Sequence, residues 1–184
     1  MTELARATQD PSDLALIDRW LGGDERAATE LVERHAQPLA RFAASLGEWE
    51  HVDELVQDTF VRAFGSLDSF RRESSLRTWL FTILRRLHLD RRRAARRSAA
   101  DVSVDDLDLA TEHGALDELV AEETRGRLER VVRGLTRMQR EVFTLRVTEG
   151  LSYREIADVL GSTEGAARVH YHNALRAVKE ALDD

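Results

Sequence analysis

Residues 151–182, LSYREIADVLGSTEGAARVHYHNALRAVKEAL, decide how the chain is read. An apolar stripe of Ile156, Ala157 and Leu160 stops at Gly161. A polar segment, Ser162, Thr163 and Glu164, then opens a longer helix rich in Arg, His, Asn and Lys. This is the spacing of a helix-turn-helix, whose second helix enters a DNA major groove. At about 100° per residue, Ala167, Tyr171, Ala174, Val178 and Leu182 share one stripe that packs inward. Val169, His172, Asn173 and Arg176 project from the other side, with Arg168 and His170 at its margins. Arg reads guanine bidentately, Asn reads adenine, and Val contacts a thymine methyl. The helix start, with Ser162 and Thr163, suits a phosphate. The bland alternative is a solvated amphipathic helix; an apolar Val169 on the polar side and the tight turn argue against it.

Working back from that motif, the segment 116–182 holds four helices, roughly 116–133, 137–148, 152–160 and 163–182, with Gly134, Gly150 and Gly161 as C-terminal caps. Residues 98–115 break the periodicity and read as a flexible acidic linker. Residues 11–97 form a first unit of four helices. Ser12 or Asp13 caps the first, which runs through Leu14, Ile17 and Leu21 to Gly22-Gly23. Asp24 starts the second, with a kink expected at Pro38. The third covers Val52 to Phe64, and GSLDSFRRESS follows as a loop. The fourth, LRTWLFTILRRLHLDRRRAARR, places Leu76, Trp79, Leu80, Ile83, Leu84 and Leu87 at helical spacing, with Trp79 read as core. Strand-like alternation is absent, so the fold class is all-α: two small helical domains joined by a flexible acidic linker, with bounds 11–97, 98–115 and 116–184.

The bulk numbers agree with this. The chain has 184 residues, 42% of them hydrophobic, and no cysteine, which excludes disulfides and thiolate metal sites and fits a reducing compartment. No apolar run approaches the ~20 residues of a membrane span. The polar, acidic N-terminus is no signal peptide, so a cytoplasmic protein without membrane insertion is expected. The net charge of −7 hides a segregation. Residues 1–60 carry thirteen acids and five arginines, residues 71–97 ten arginines against Glu73 and Asp90, and residues 101–123 nine acids and no Lys or Arg.

The arginines of the fourth helix (Arg85, Arg86, Arg91, Arg92, Arg93, Arg96 and Arg97) form a strip suited to phosphate neutralisation. The loop before it, with Ser69, Phe70, Arg71, Arg72, Glu73, Ser74 and Ser75, combines an aromatic ring, cations and hydroxyls, the parts of a site for an unpaired base. In DELVQDTFVRAF, Asp53, Glu54 and Asp58 suggest acid–base or metal chemistry at first sight. Nothing completes such a site, and a protein-contact surface is better supported. The histidines lack metal-ligand spacing: His170 and His172 lie about 200° apart on a helix. No Gly-rich phosphate loop or nucleophile motif occurs, so no cofactor and no catalysis are expected.

Taken in order, LVQDTF, LDSFRRESS with TWL, REVF at 140–143 and YREIADVLG resemble the extracytoplasmic-function (ECF, group 4) sigma factors of bacterial RNA polymerase over nearly the whole chain. The resemblance implies that residues 52–64 act as region 2.2, docking on the clamp helices of the polymerase β′ subunit through Asp53, Glu54, Leu55, Gln57, Asp58 and Phe60. It implies that Ser69, Phe70, Arg71, Arg72, Ser74, Arg77, Arg85 and Arg86 contact the −10 element, where a base is flipped. It implies that Arg168, Val169, His170, His172, Asn173 and Arg176 read the −35 element while the back of that domain packs on the β flap. An anti-sigma factor is the implied inhibitor, and the acidic linker would pass near the RNA exit path. Two departures stand out. Leu84-Arg85-Arg86 replaces an Ala-x-Asn found in many relatives, and Asn173 replaces a common Arg, which suggests an altered −35 preference. No long C-terminal extension is present, so regulation through one is not expected. The rival readings are a helix-turn-helix regulator acting without core polymerase and, more remotely, a metal-dependent hydrolase using Asp53, Glu54 and Asp58.

Overall fold

The computed structural model describes residues 11–99, 130–132 and 134–183, and every regular element among them is helical. Seven α-helices follow in order: α1 (Pro11–Leu21), α2 (Glu25–Ser45), α3 (Val52–Phe64), α4 (Leu76–Ala99), α5 (Arg137–Phe143), α6 (Tyr153–Leu160) and α7 (Glu164–Asp183). A single 3₁₀ turn, Leu67–Ser69, interrupts the loop between α3 and α4. The linker residues 100–115 and most of the helix expected at 116–133 lie outside the described residues. Ser98 and Ala99, expected in the linker, extend α4 instead.

Local chemistry sets the ends. Asp24 caps α2 by accepting the Arg26 N–H at 3.0 Å. Asp13 does not cap α1, as the sequence suggested. It lies inside the first turn and is buried, where its carboxylate binds His35 Nε2 at 3.0 Å and accepts from Arg34 Nη1 at 2.7 Å. A short acid at that position satisfies a histidine on the next helix, and this ties α1 to α2. Helix α2 runs unbroken through Pro38. Its buried stripe of Leu31, His35, Leu39 and Phe42 is anchored on both sides of the proline, which offsets the one backbone bond that Pro38 cannot make.

Helices α1 to α4 pack around Ile17, Leu31, Leu39, Phe42, Leu55, Phe81 and Leu84. Phe42 and Phe81 meet edge to face at 5.3 Å, the geometry favoured by the ring quadrupoles. In the C-terminal part, Thr136 and Gln139 form a capping box at the start of α5, and Ser152 and Glu155 form a second at α6. Helix α5 passes into a wider π segment, Thr144–Thr148, which ends at Glu149 and the left-handed Gly150 (φ +69°). Val142, Leu145, Ile156, Leu160 and Ala167 form the core here. The buried apolar cluster continues from this core into that of α1–α4, with α6 against α4 and α5 against α2.

Candidate nucleic-acid interface

The turn of the helix-turn-helix is built by Gly161, which sits at φ 60°, ψ 41°, a left-handed conformation that glycine adopts without backbone strain and that ends α6. Thr163 Oγ1 then accepts the Ala166 N–H at 3.1 Å and opens α7. As the periodicity requires, Ala167, Ala174 and Val178 are buried and Tyr171 is half-buried. The burial of Leu182 lies outside the described residues. The opposite side is free: Val169 is 58% exposed, Arg168, His172 and Arg176 are exposed, and His170 and Asn173 are half-exposed. Two of the arginines expected to read DNA are held by neighbours on the same helix. Arg176 Nη2 donates to Asn173 Oδ1 at 3.1 Å, and Arg168 pairs with Glu164 at 3.3 Å. Tyr153, unremarked in the sequence, lies beneath Arg168 and Arg146, with guanidinium carbons 4.7 and 4.8 Å from its ring centre.

The loop between α3 and α4 does not present its aromatic ring. Phe70 is buried, and its ring packs on Trp79 with centroids 5.0 Å apart, so it has no face to offer an unpaired base. Ser69 and Arg71 are exposed and Ser74 half-exposed. Arg72 takes a left-handed φ of 58° and pairs with Asp18, which fixes the loop to α1. Ser75 caps α4 by accepting the Thr78 N–H at 3.1 Å.

The arginine helix is divided in use. Arg86, Arg93, Arg96 and Arg97 are exposed, while Arg91 pairs with Asp58 at 2.6 Å. Arg77 and Arg85, expected at DNA, face the C-terminal domain instead. Arg85 Nε donates to Glu141 Oε2 at 2.8 Å, and Arg137 Nε donates to the other oxygen at 2.7 Å. Glu149 is held by Arg77 and, bidentately, by Arg41 at 2.8 and 3.2 Å. Both glutamate side chains are 0% exposed. Sequence reasoning missed Arg41, Glu141 and Glu149. Glu141 carried a readable signal, because it falls on the helix face of Met138, Val142 and Leu145, where an acid needs a partner.

One turn after Arg85, His88 is buried in α4, and its Nδ1 lies 2.8 Å from Glu48 Oε1. Burial lowers its pKa from 6.5, Glu48 opposes that, and the charges of Arg137 and Arg92 add to the lowering. The neutral ring donates from Nδ1 to Glu48 and leaves Nε2 without a partner among the described residues.

In the first domain, α3 shows the other expected surface. Asp53, Glu54, Gln57 and Asp58 are exposed. Leu55 is fully buried and holds α3 in the core, whereas Phe60, though mostly buried, still lines the groove on this surface. Apart from Phe60, the apolar part of this surface comes from residues the sequence did not single out. Val61 is 67% exposed and, with Val32, Ala36, Val56 and Phe64, lines a shallow groove that Asp53 and Gln57 border. No group of acids and histidines fit for a metal occurs among the described residues.

Residues 31–98 match Sigma-70 region 2, and residues 125–178 match Sigma-70, region 4. The ECF RNA polymerase sigma-E factor of Salmonella typhimurium (strain 14028s / SGSC 2262) is 30% identical over 182 residues, covering 94% of this chain and 93% of that protein. The chain belongs to the ECF sigma factors. The sigma-E factor of Escherichia coli (strain K12) is similar to the same extent, 30% identical over 94% of this chain and 93% of its own. Among solved structures, this sigma factor resembles RpoE from Bartonella quintana, in complex with the anti-sigma factor NepR, at TM-score 0.66 and 28% identity over 84% of this chain and 96% of that one. It also resembles CnrH, solved with the cytosolic domain of CnrY, at TM-score 0.64 and 30% identity over 93% and 97%. The helix-turn-helix face therefore belongs to region 4, and the α3 groove and α4 arginines to region 2. No helix among the described residues is long and apolar enough to cross a membrane.

Proposed function

We propose that this ECF sigma factor binds core RNA polymerase, brings it to promoters bearing −10 and −35 elements, and promotes melting of the DNA, with no catalysis of its own. The observation that carries this is the presence, in one chain and in order, of region 2 and region 4, each with an exposed surface of the right chemistry. A helix-turn-helix regulator acting alone has no use for the acid-bordered apolar groove of α3.

The exposure of these side chains supports the following roles. Asp53, Glu54, Gln57 and Asp58, with Val61, meet the β′ clamp helices. Ser69, Arg71, Arg72, Ser74 and Arg86 approach the −10 strand, joined by Arg77 and Arg85 once those are released. Arg168, Val169, His170, His172, Asn173 and Arg176 face the −35 duplex, while the back of region 4 meets the β flap. The segments 11–97 and 116–184 act as the two functional domains, and residues 98–115 tether them. The protein works in the cytoplasm, and an anti-sigma factor holds it inactive, by analogy with the Bartonella quintana complex.

Run-off transcription with purified core polymerase lacking its own sigma subunit tests this reading. Defined start sites are expected only when the chain is added. A chain that shifts duplex DNA by itself and leaves core polymerase silent is the regulator instead.

A further inference from the structure

The carboxylates of Glu141 and Glu149 sit where an anion is recognised by the other domain. Arg41 grips Glu149 through Nε and Nη2, the fork that guanidinium offers equally to carboxylate and phosphate. Arg77 joins it on the same carboxylate, and Arg85 takes Glu141 one face along. Three arginines from two helices of region 2 thus converge on two acids of region 4. We infer that Arg41, Arg77 and Arg85 form one phosphate-binding surface of region 2, which Glu141 and Glu149 occupy in the closed chain and the promoter backbone occupies in the open one. The inference rests on the sigma-factor reading, and it adds Arg41 to the DNA-binding set.

The physics favours exchange over a permanent weld. Desolvating two carboxylates opposes most of what their ion pairs gain, so such pairs add specificity more than stability. On opening, the glutamates are rehydrated. The arginines, which are only 12–39% exposed while closed, then face water and any polyanion. The N–H donors that hold the glutamates cannot hold a phosphate at the same time. A polyanion therefore engages these three arginines only in the open chain, and its apparent affinity for them is scaled by the fraction open.

The native chain has no cysteine, so Glu33→Cys and Lys179→Cys, both at exposed positions on different domains, accept a donor and an acceptor dye. The full chain is titrated with oligodeoxythymidine and with the same oligomer on an uncharged methylphosphonate backbone. The expected result is a fall in energy transfer with the charged oligomer alone. E141Q/E149Q is expected to start with low transfer and to bind the charged oligomer about tenfold tighter or more, in proportion to the closed fraction it abolishes. R41A/E141Q/E149Q then binds several-fold less tightly than E141Q/E149Q, because Arg41 itself meets phosphate. Binding of the charged oligomer with unchanged transfer, or with equal affinity in the wild type and E141Q/E149Q, overturns the inference. If E141Q/E149Q does not fold, R41A alone serves: it must lower transfer in the free chain, and unchanged transfer overturns the inference. Run-off transcription by the wild type is scored separately, so a sound sigma factor without this exchange is told apart from a chain that is no sigma factor.

Discussion

The Arg168 guanidinium lies over the Tyr153 ring, 4.7 Å from its centre, while Glu164 holds it from the side at 3.3 Å. Tyr153 is the first residue of α6 and Arg168 lies in the second turn of α7, so the stack joins the two helices of the motif at the edge proposed to face DNA. A long cation on an exposed helix loses rotamer entropy when it binds a base, and a ring beneath it removes part of that loss beforehand.

We predict that Tyr153→Leu reduces transcription from promoters with a −35 element by a factor corresponding to about 0.5–1 kcal/mol, the usual strength of an exposed cation–π contact. Tyr153→Phe keeps the ring and should behave as wild type. The check is run-off transcription on paired templates with and without the −35 element. Equal losses on both templates would show that Tyr153 acts on folding alone.

A second prediction concerns α3. Val61→Asp, at an exposed position in the groove, should leave the thermal midpoint unchanged and lower recovery of the chain on immobilised core polymerase. Leu55→Ala, at a fully buried position, should cost about 2–5 kcal/mol of stability. If Val61→Asp binds core polymerase as well as wild type does, the groove is not the docking surface.

Acidification should weaken the closed chain through His88. Its folded pKa is lowered from 6.5 by burial, so the unfolded state takes up a proton first. Its stabilising contribution is complete above pH 6.5 and is lost as pH falls from there toward the folded value. The groups facing it are Glu48, which favours protonation, and Arg92 and Arg137, which oppose it. The urea midpoint should decline over that window, and His88→Gln should flatten the decline. An identical slope in the variant would remove His88 from the explanation.

Gly161→Ala should destabilise the chain by about 1 kcal/mol. A Cβ there meets nothing within 4 Å, so the penalty is the left-handed φ of +60° and not a clash. Denaturation with guanidinium measures it, and a neutral result would mean that the turn relaxes to another conformation.

Much of this protein could be read from residues in a row. The α3 limits, Val52 and Phe64, follow from the apolar spacing, and Asp24 announces α2 by its capping chemistry. The exposed face of α7 follows from the 3.6-residue period, because each helix buries one stripe whatever it packs against. Phe70 and Leu55 were misplaced for a shared reason. A motif marks a segment as functional without saying which of its side chains turn inward, and here the large apolar ones do.

The chain order alone gave most of the described helices, the Asp24 cap and the segregation of charge along the sequence, since all of these depend on neighbours within a turn or two. Only the tertiary structure decided that Arg41 and Arg77 converge on Glu149, residues 108 and 72 positions away, and that Arg85 meets Glu141 across 56. Such pairings depend on how whole helices stack, because burial forces each carboxylate toward the nearest guanidinium in space, and local periodicity carries no record of that.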